Sequence, residues 1–463
     1  MRSSSRARTA RPWAGSWFHS KCPAEPRRTL HAGSAKLPYR VGVPDNSAAN
    51  LDDPPHTSGL TLNSCHADTP PDAAPPTPAL PLDSYHADTR IAVHQTTLAD
   101  GRNLIYFDDA DTTLSPERAV DERNLDPRPA TAQMRQDALT GEWVSIAAAR
   151  QNRVFLPPAE LDPLTPQCPG NPSEIPSNYD VAVFENRSPS FGPALADVAN
   201  HDLERASTLA RTELRTVGLE RTRPAVGRTE VVCFSPNRAG SCGTQTVSRV
   251  RTVIEAWAQR TAALSALPGV EQVFPFENRG EAIGVTLGHP HGQIYAYPYV
   301  TPRTERLLAA LDSYGPTLMG DLLEREQQGD RMLLSGTHWT AFVPFAARWP
   351  IEVHLMPHRH VPDFAATTLA ERDELAELYV RLLRGVDRLY HTPTPYIAAW
   401  HQAPIRERRD EVRMMLQLTS PRRAAQKLKF LAGSEAAMGA WVGDVPPETQ
   451  AIAFRAALAG VTL

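Results

Sequence analysis

Residues 289–297 constrain the possible fold of this chain more than any other segment, because their residue types alternate. Two imidazoles and an amide stand on alternate positions at His289, His291 and Gln293, and a β-type run follows directly at 294–297. On an extended strand, residues i, i+2 and i+4 face the same side, so these three side chains are predicted to lie together. A His-x-His pair alone is also typical of surface positions and metal ligands. With the amide added, one imidazole can attack phosphorus, the other can orient it, and the amide can donate to a phosphoryl oxygen.

The overall composition excludes several classes of protein. A chain of 463 residues is long enough for two or three domains. The net charge is −4, and apolar runs stay well short of the roughly 20 residues that span a bilayer, so neither a nucleic-acid nor a membrane partner is expected. The five cysteines are odd in number and scattered, which favours a reducing cytoplasm over a disulfide framework.

The N-terminal part differs in composition from the rest. Residues 1–50 are rich in Arg, Ser and Ala, as in a transit peptide, and the next stretch is rich in Pro, Ala, Thr and Asp. Such a composition cannot bury enough apolar surface to offset its ordering entropy. A polar decapeptide at 60–69 also recurs at 80–89. We predict that residues 1–88 form a disordered extension, with a regulatory tail or an over-called translation start as the alternatives.

Beyond this extension, the pattern predicts the same order of elements twice. In residues 89–300, short apolar strands precede a helix at about 246–266, and further strands follow it. In residues 301–463, strands at 340–344 and 351–355 precede a helix to about Tyr390, which opens on a capping box at Thr368 and Glu371. Two more strands come after it. The sequence therefore predicts an α+β fold of two domains, with boundaries at 89–300 and 301–463.

The most specific block is the run Phe-Pro-Phe-Glu-Asn-Arg-Gly at 274–280, followed by Gly284 and by His-Pro-His-Gly-Gln-Ile at 289–294. This block resembles the active-site segment of the galactose-1-phosphate uridylyltransferase family. That family is the transferase branch of the histidine-triad superfamily, with Gln in place of the third His. The resemblance implies two tandem histidine-triad-like domains, each a mainly antiparallel sheet with packed helices. The second domain lacks a catalytic imidazole, since 414–417 reads Met-Met-Leu-Gln.

The resemblance also implies a reaction. His291 would attack the α-phosphorus of UDP-glucose, release glucose 1-phosphate and hold UMP as a phosphoramidate, and galactose 1-phosphate would then take the UMP. Gln293 would donate to a non-bridging oxygen, and His289 would orient His291. Residues matching substrate-binding positions of the family are Arg150, Arg153, Asn186, Asn278, Thr286, Lys429, Phe430 and Glu435. The C-terminal members of this set contact the nucleotide sugar in the family, which implies a homodimer.

Family members often hold a structural zinc, but the ligands are mostly missing here. A tetrahedral zinc needs four ligands, and Cys168 with His289 supplies two, with Asp162 nearby in sequence. A second family metal site retains His401, while Met415 and Gln417 replace its paired histidines. We therefore predict that no metal is bound and no cofactor is required.

Two other interpretations stay open at the level of sequence. One is a related nucleotidyl transferase or phosphorylase that acts on adenine dinucleotides. The other is a catalytically inactive nucleotide-binding protein, which the lost metal ligands suggest and the intact His291 and Gln293 oppose.

Overall fold

The computed structural model describes residues 85–126, 128, 131–152, 157–193 and 219–463. The predicted disorder of residues 1–84 and the predicted binding residue Arg153 lie outside the described residues. The strands, in chain order, are β1 (Ala92–Thr97), β2 (Asn103–Asp108), β3 (Gln133–Gln136), β4 (Trp143–Ile146), β5 (Val181–Glu185), β6 (Thr222–Pro224), β7 (Arg228–Cys233), β8 (Gln272–Arg279), β9 (His291–Tyr297), β10 (Met332–Ser335), β11 (Trp339–Phe342), β12 (Ile351–Pro357), β13 (Tyr396–His401), β14 (Met415–Ser420), β15 (Arg422–Ala424) and β16 (Lys427–Leu428).

The main element of the fold is one antiparallel sheet that runs through both halves. Its order in the described residues is β1-β2-β5-β7-β9-β8-β13-β14-β12-β11-β10. The two halves meet where β8 pairs with β13, with Arg279 opposite Tyr396 and Phe276 opposite Ala399. The α+β class and the tandem arrangement are confirmed, and the structure adds that the two sheets are hydrogen-bonded into one. A separate sheet of β4-β3-β6 packs beside the first half.

Helices pack on both faces of this sheet, since Leu311, Met319 and Leu323 contact Phe342 and Met356, on the face opposite Ala341 and Leu355. In chain order they are α1 (Val247–Ser265), α2 (Pro302–Tyr314), α3 (Leu318–Gln327), α4 (Leu369–Arg388), α5 (Gly433–Met438) and α6 (Pro447–Ala459). Helix α4 begins with the predicted capping box, in which Thr368 accepts from the Glu371 N–H and the Glu371 carboxylate accepts from the Thr368 N–H. Helix α1 begins one residue later than predicted, after its N-cap Thr246.

An aromatic cluster joins the two halves beneath the sheet. Trp257 of α1 lies 6.0 Å from Trp400 of β13, and Trp400 lies 4.9 Å from Phe364, measured between ring centroids. All three rings are fully buried. Because α1 belongs to the first half and β13 to the second, the halves share one hydrophobic core rather than folding as separate globules.

The residues just before β1 belong to this body. The Tyr85 hydroxyl donates to Glu255 at 2.7 Å, and the Asp88 N–H donates to the same carboxylate at 3.1 Å. Asp88 is 3% exposed and forms an ion pair of 2.8 Å with Arg251 of α1. Residues 85–88, which were predicted to belong to the extension, therefore contact the folded body, because these polar contacts carry no apolar periodicity that a sequence pattern could reveal.

The contacts of residues 85–88 with the folded body predict different effects for two N-terminal truncations. Deleting residues 1–84 is expected to leave the free energy of unfolding unchanged, whereas deleting 1–88 should lower it by about 1–3 kcal/mol, because buried Arg251 and Glu255 each lose a partner. Urea unfolding of both truncated proteins beside the full chain measures the difference. Equal stability of the two truncations would contradict the anchoring role of residues 85–88.

Candidate active site

Strand β9 presents the reactive side chains on the face opposite α1 and α4. His291, Gln293 and Tyr295 are partly exposed, while Gly292, Ile294 and Ala296 between them are buried. A Cβ at Gly292 would lie 2.8 Å from the Phe234 ring, so only glycine allows the strand this close to the core. The predicted alternation is confirmed from His291 onward.

His289 lies outside this alternating set. Strand β9 begins at His291, and His289 and Pro290 form a bend before it. Pro290 has no N–H to give to a ladder, although its carbonyl accepts from the Phe234 N–H at 3.1 Å. The prediction that His289 shares a strand face with His291 and Gln293 is therefore wrong. Its ring is buried instead, with 3% of the residue exposed.

Three oxygens surround the His289 ring. Nδ1 lies 2.9 Å from Asp162 Oδ2, Nε2 lies 2.7 Å from the Ser235 carbonyl oxygen, and the Tyr179 hydroxyl lies 3.2 Å from Nε2. Burial alone would raise the pKa of Asp162, but the hydrogen bond and charge of His289 outweigh burial and lower it. The carboxylate is therefore ionised at neutral pH.

The backbone of His289 fixes the tautomer of His291. Nδ1 of His291 lies 2.7 Å from the His289 carbonyl oxygen. A carbonyl oxygen can only accept, so Nδ1 must carry the proton and the lone pair of the neutral ring resides on Nε2. The ring is thereby prepared to react as a nucleophile through Nε2.

A cleft of about 560 Å³ opens beside His291, and both halves of the chain line it. The first half contributes Asn278, the turn at Gly280 and the segment before β9. Gly280 has φ +97°, and a Cβ there would lie 2.9 Å from Pro395, so the turn needs glycine to pack against the second half. The second-half residues of the wall are Pro393, Thr394, Pro395 and Arg422.

The sequence-based prediction missed these second-half residues. They reach the cleft because β8 pairs with β13, which brings the residues before Tyr396 beside the Gly280 turn. Arg422 follows β14 and adds a positive charge to a wall that also contains Glu281. No local signal marks Arg422, although a basic residue after a strand at the junction of the halves becomes a candidate once the strand pairing is known.

The described binding residues predicted in the first half separate into two places. Asn278 lines the cleft, and Thr286 lies between two residues that do, Val285 and Leu287. Arg150 and Asn186 lie together elsewhere on the first half. Arg150 Nη1 donates to the Ser188 carbonyl at 3.4 Å, and the Ser188 N–H donates to Asn186 at 2.9 Å.

Lys429 and Glu435 of the C-terminal set stabilise the local fold within this chain. Lys429 is 4% exposed, and its Nζ lies 2.7 Å from Glu435 Oε1 and donates to the Arg348 carbonyl at 2.9 Å. Both charges are thus neutralised locally, and Lys429, Phe430 and Glu435 lie outside the lining of the His291 cleft. Phe430 is different, because it is 76% exposed.

Neither family metal site has a ligand set that fits a metal. Cys168 is exposed in a turn, and both nitrogens of His289 already face protein oxygens. At the second site, His401 Nε2 lies 3.3 Å from the Gln417 side-chain oxygen, and burial, assisted by the charge of Arg303, lowers the pKa of His401 to about 3. The described part of the chain contains no group of three or more His, Cys, Asp or Glu placed to hold a metal ion.

Glu277, on β8 and lining the cleft, is a buried acid with an unusual pKa. Burial raises its pKa to about 7, against the lowering effect of the Tyr396 hydroxyl, which donates to it at 2.9 Å. Because the folded pKa exceeds the unfolded one, Glu277 favours folding at low pH, and this contribution is lost as the pH rises through 7.

We therefore expect stability to fall between pH 6 and pH 8 by about 1 kcal/mol from this residue. A Glu277→Gln variant should lack that part of the decrease and be more stable than the parent at pH 8. Urea unfolding of both proteins at the two pH values measures it. Parallel pH profiles of the two proteins would show that Glu277 ionises normally.

Fold and site together define an enzyme of the nucleotidyltransferase class. Two family models match, the N-terminal domain of galactose-1-phosphate uridyl transferase over residues 122–301 and its C-terminal domain over 303–451. The galactose-1-phosphate uridylyltransferase of Streptomyces lividans is 44% identical over 317 residues, which are 67% of this chain and 80% of that protein. The chain belongs to the galactose-1-phosphate uridylyltransferase family.

Other relatives agree with this assignment. The galactose-1-phosphate uridylyltransferase of Thermotoga maritima is 31% identical over 331 residues, covering 70% of this chain and 98% of that protein. A solved uridylyltransferase structure is 28% identical with a TM-score of 0.61, covering 72% of this chain and all of that one. An ADP-glucose phosphorylase from Arabidopsis thaliana shares the fold at 22% identity and a TM-score of 0.50.

Within the described ranges, every helix is too short or too polar to cross a bilayer.

Proposed function

We propose that this protein transfers UMP from UDP-glucose to galactose 1-phosphate through a uridylyl-histidine intermediate on His291. The observation that carries the proposal is the hydrogen bond of 2.7 Å from His291 Nδ1 to the His289 carbonyl, which keeps the lone pair on Nε2. The names of the relatives support the two substrates.

Each half-reaction balances without transfer of a proton. Nε2 of His291 attacks the α-phosphorus, a P–N bond forms, and the bond from that phosphorus to the bridging oxygen breaks to release glucose 1-phosphate. The ring then carries positive charge, which the His289 carbonyl stabilises through Nδ1–H. A phosphate oxygen of galactose 1-phosphate attacks the same phosphorus, the P–N bond breaks, and the lone pair returns to Nε2.

Because neither half-reaction transfers a proton, an amide is a suitable side chain at position 293. A phosphate leaving group needs no general acid, whereas the charge that develops on the phosphoryl oxygens needs a hydrogen-bond donor. Gln293 follows His291 on the same face of β9, at a strand spacing of roughly 7 Å. A phosphoryl group bonded to Nε2 can therefore lie between the two side chains.

The direct test is to mix the purified full chain with UDP-glucose and galactose 1-phosphate and to measure UDP-galactose and glucose 1-phosphate. We expect both products in equal amounts. Parallel reactions with ADP-glucose and phosphate test the adenine-nucleotide alternative, since the ADP-glucose phosphorylase shares the fold. Binding of UDP-glucose without turnover in any mixture would favour the inactive nucleotide-binding protein.

We further propose that the protein is a cytoplasmic homodimer. Phe430, Met438 and Val442 are 76%, 80% and 57% exposed on the segment around α5, so three large apolar side chains of one short segment face water. A second copy of this chain would cover them and bring Phe430 to the substrate. Light scattering after size-exclusion chromatography should give twice the chain mass, and Phe430→Asp should shift it towards one chain. A parent protein of single-chain mass would oppose the proposal.

We also propose that catalysis needs no metal. Purified protein is expected to contain well under one equivalent of zinc or iron per chain, because the residues at both family sites bond to one another instead. Elemental analysis and assays before and after chelator treatment measure this. One tightly held metal per chain, with activity lost on its removal, would overturn the prediction.

A further inference from the structure

We infer that Asp162 is a positioning residue, and that the buried Asp162–His289 pair replaces a structural metal in holding the nucleophile His291 in its reactive tautomer. This inference rests on the proposed function, since it assigns His291 the role of nucleophile. It concerns a residue that the family resemblance leaves without a role, because Asp162 stands in the region of an eroded cysteine pair.

Asp162 is itself held on several sides. It is 3% exposed, and its Oδ1 accepts from the Leu164 N–H at 2.9 Å while its Oδ2 faces His289. Its backbone carbonyl accepts from the Asn171 side chain at 2.9 Å. Arg238 Nε lies 3.8 Å from Oδ2 at the rim. A carboxylate with both oxygens engaged and its backbone tied down provides a fixed point for the histidine ring.

Contacts at both ring nitrogens fix the orientation of the His289 ring. Nδ1 faces the carboxylate and Nε2 faces the Ser235 carbonyl, so each ring nitrogen is directed at a protein oxygen. Neither nitrogen is therefore directed at a metal position. In metal sites, hydrogen bonds from neighbouring groups orient the ligating histidine. Here contacts with protein oxygens orient His289, and the Asp162 carboxylate is its charged partner.

The same contacts determine the position of His291. The side chain and the carbonyl of His289 belong to one residue, and Pro290 next to it has a fixed φ. Fixing the ring therefore fixes the direction of the carbonyl that accepts the His291 Nδ1–H at 2.7 Å. The chain of contacts runs from the Asp162 carboxylate through the His289 ring and backbone to the reactive imidazole.

The test uses the full-length chain and two substitutions of different severity. Asp162→Ala removes the acceptor, whereas Asp162→Asn keeps an oxygen that can still accept from Nδ1. We expect Asp162→Ala to lower kcat of uridylyl transfer by about 10–100-fold with KM for UDP-glucose changed less than about threefold, because positioning of the nucleophile is lost and the diphosphate contacts remain. Asp162→Asn should recover most of the rate.

A spectroscopic readout separates positioning from a general loss of structure. The ¹⁵N shifts of the labelled histidine rings should show His291 as the Nδ1–H tautomer in the parent protein and as a mixture in Asp162→Ala. Glu255→Gln is the matched control, because Glu255 is an equally buried carboxylate that pairs with Arg372 away from the cleft. It should lower stability but leave kcat and the His291 tautomer as in the parent.

The outcomes distinguish this inference from the proposed function. Absence of uridylyl transfer by the parent protein would defeat the proposed function, while the tautomer measurement would still decide the role of Asp162. Unchanged kcat and an unchanged His291 tautomer in folded Asp162→Ala would overturn the inference. A metal ion bound by Asp162 and His289 in the purified protein would overturn it as well.

Discussion

Replacing His291 with alanine is expected to reduce uridylyl transfer by at least about 10⁴-fold, which is the scale of loss when a catalytic nucleophile is removed. Nε2 of this ring holds the lone pair that forms the P–N bond, and Gln293, the next side chain on the same face of β9, is an amide that cannot replace it as nucleophile. Binding of UDP-glucose should remain measurable by calorimetry, because the contacts to its diphosphate come from other residues.

The intermediate can be observed directly. Incubating the parent protein with UDP-glucose labelled in the uridine should give a labelled protein that is stable in base and labile in acid, as a phosphoramidate requires. His291→Ala should take up no label. His94→Gln serves as the control, because His94 on β1 pairs with Asp108 away from the cleft. Near-normal turnover or labelling of His291→Ala would show that the nucleophile lies elsewhere.

Local signals in the sequence predicted the elements that carry the site. The alternation after His291 predicted β9, and the capping box predicted the start of α4. Each of these signals acts over a few residues, because side-chain direction and cap hydrogen bonds are set by near neighbours.

Local sequence signals could not predict the residues that complete the site, because tertiary contacts bring them together. The β8–β13 pairing joins distant parts of the chain and brings Arg422 and Thr394 to the cleft. His289 is part of a motif that predicts an exposed pair, yet Asp162 and the Ser235 carbonyl hold its ring inside the protein. Lys429 fits a binding position by resemblance, yet within one chain it pairs with Glu435. Tertiary contact decides all three cases.

Converting Gln293 to histidine is expected to lower the rate of uridylyl transfer by roughly 10²–10³-fold, the usual cost of losing one oriented donor to a developing oxyanion. Gln293 lies on the exposed face of β9 between His291 and Tyr295, and its backbone is fixed by pairing with Val231 and Phe276. An imidazole at this position has a different reach and can protonate a leaving group. The variant should therefore also hydrolyse UDP-glucose more readily than the parent protein does.

Two measurements separate these effects. The rate of glucose 1-phosphate release in a single turnover reports formation of the intermediate, and loss of label from the uridylylated protein in water reports its hydrolysis. Tyr295→Phe is the matched control on the same face, because it keeps the aromatic ring that packs 5.2 Å from Phe276. If Gln293→His retains the parent rate while Tyr295→Phe is also normal, the amide does not face the phosphoryl group. The glutamine at this position would then have to be explained by packing beside Phe276. Donors that line the cleft, such as Asn278 and Arg422, would have to stabilise the charge on the phosphoryl oxygens.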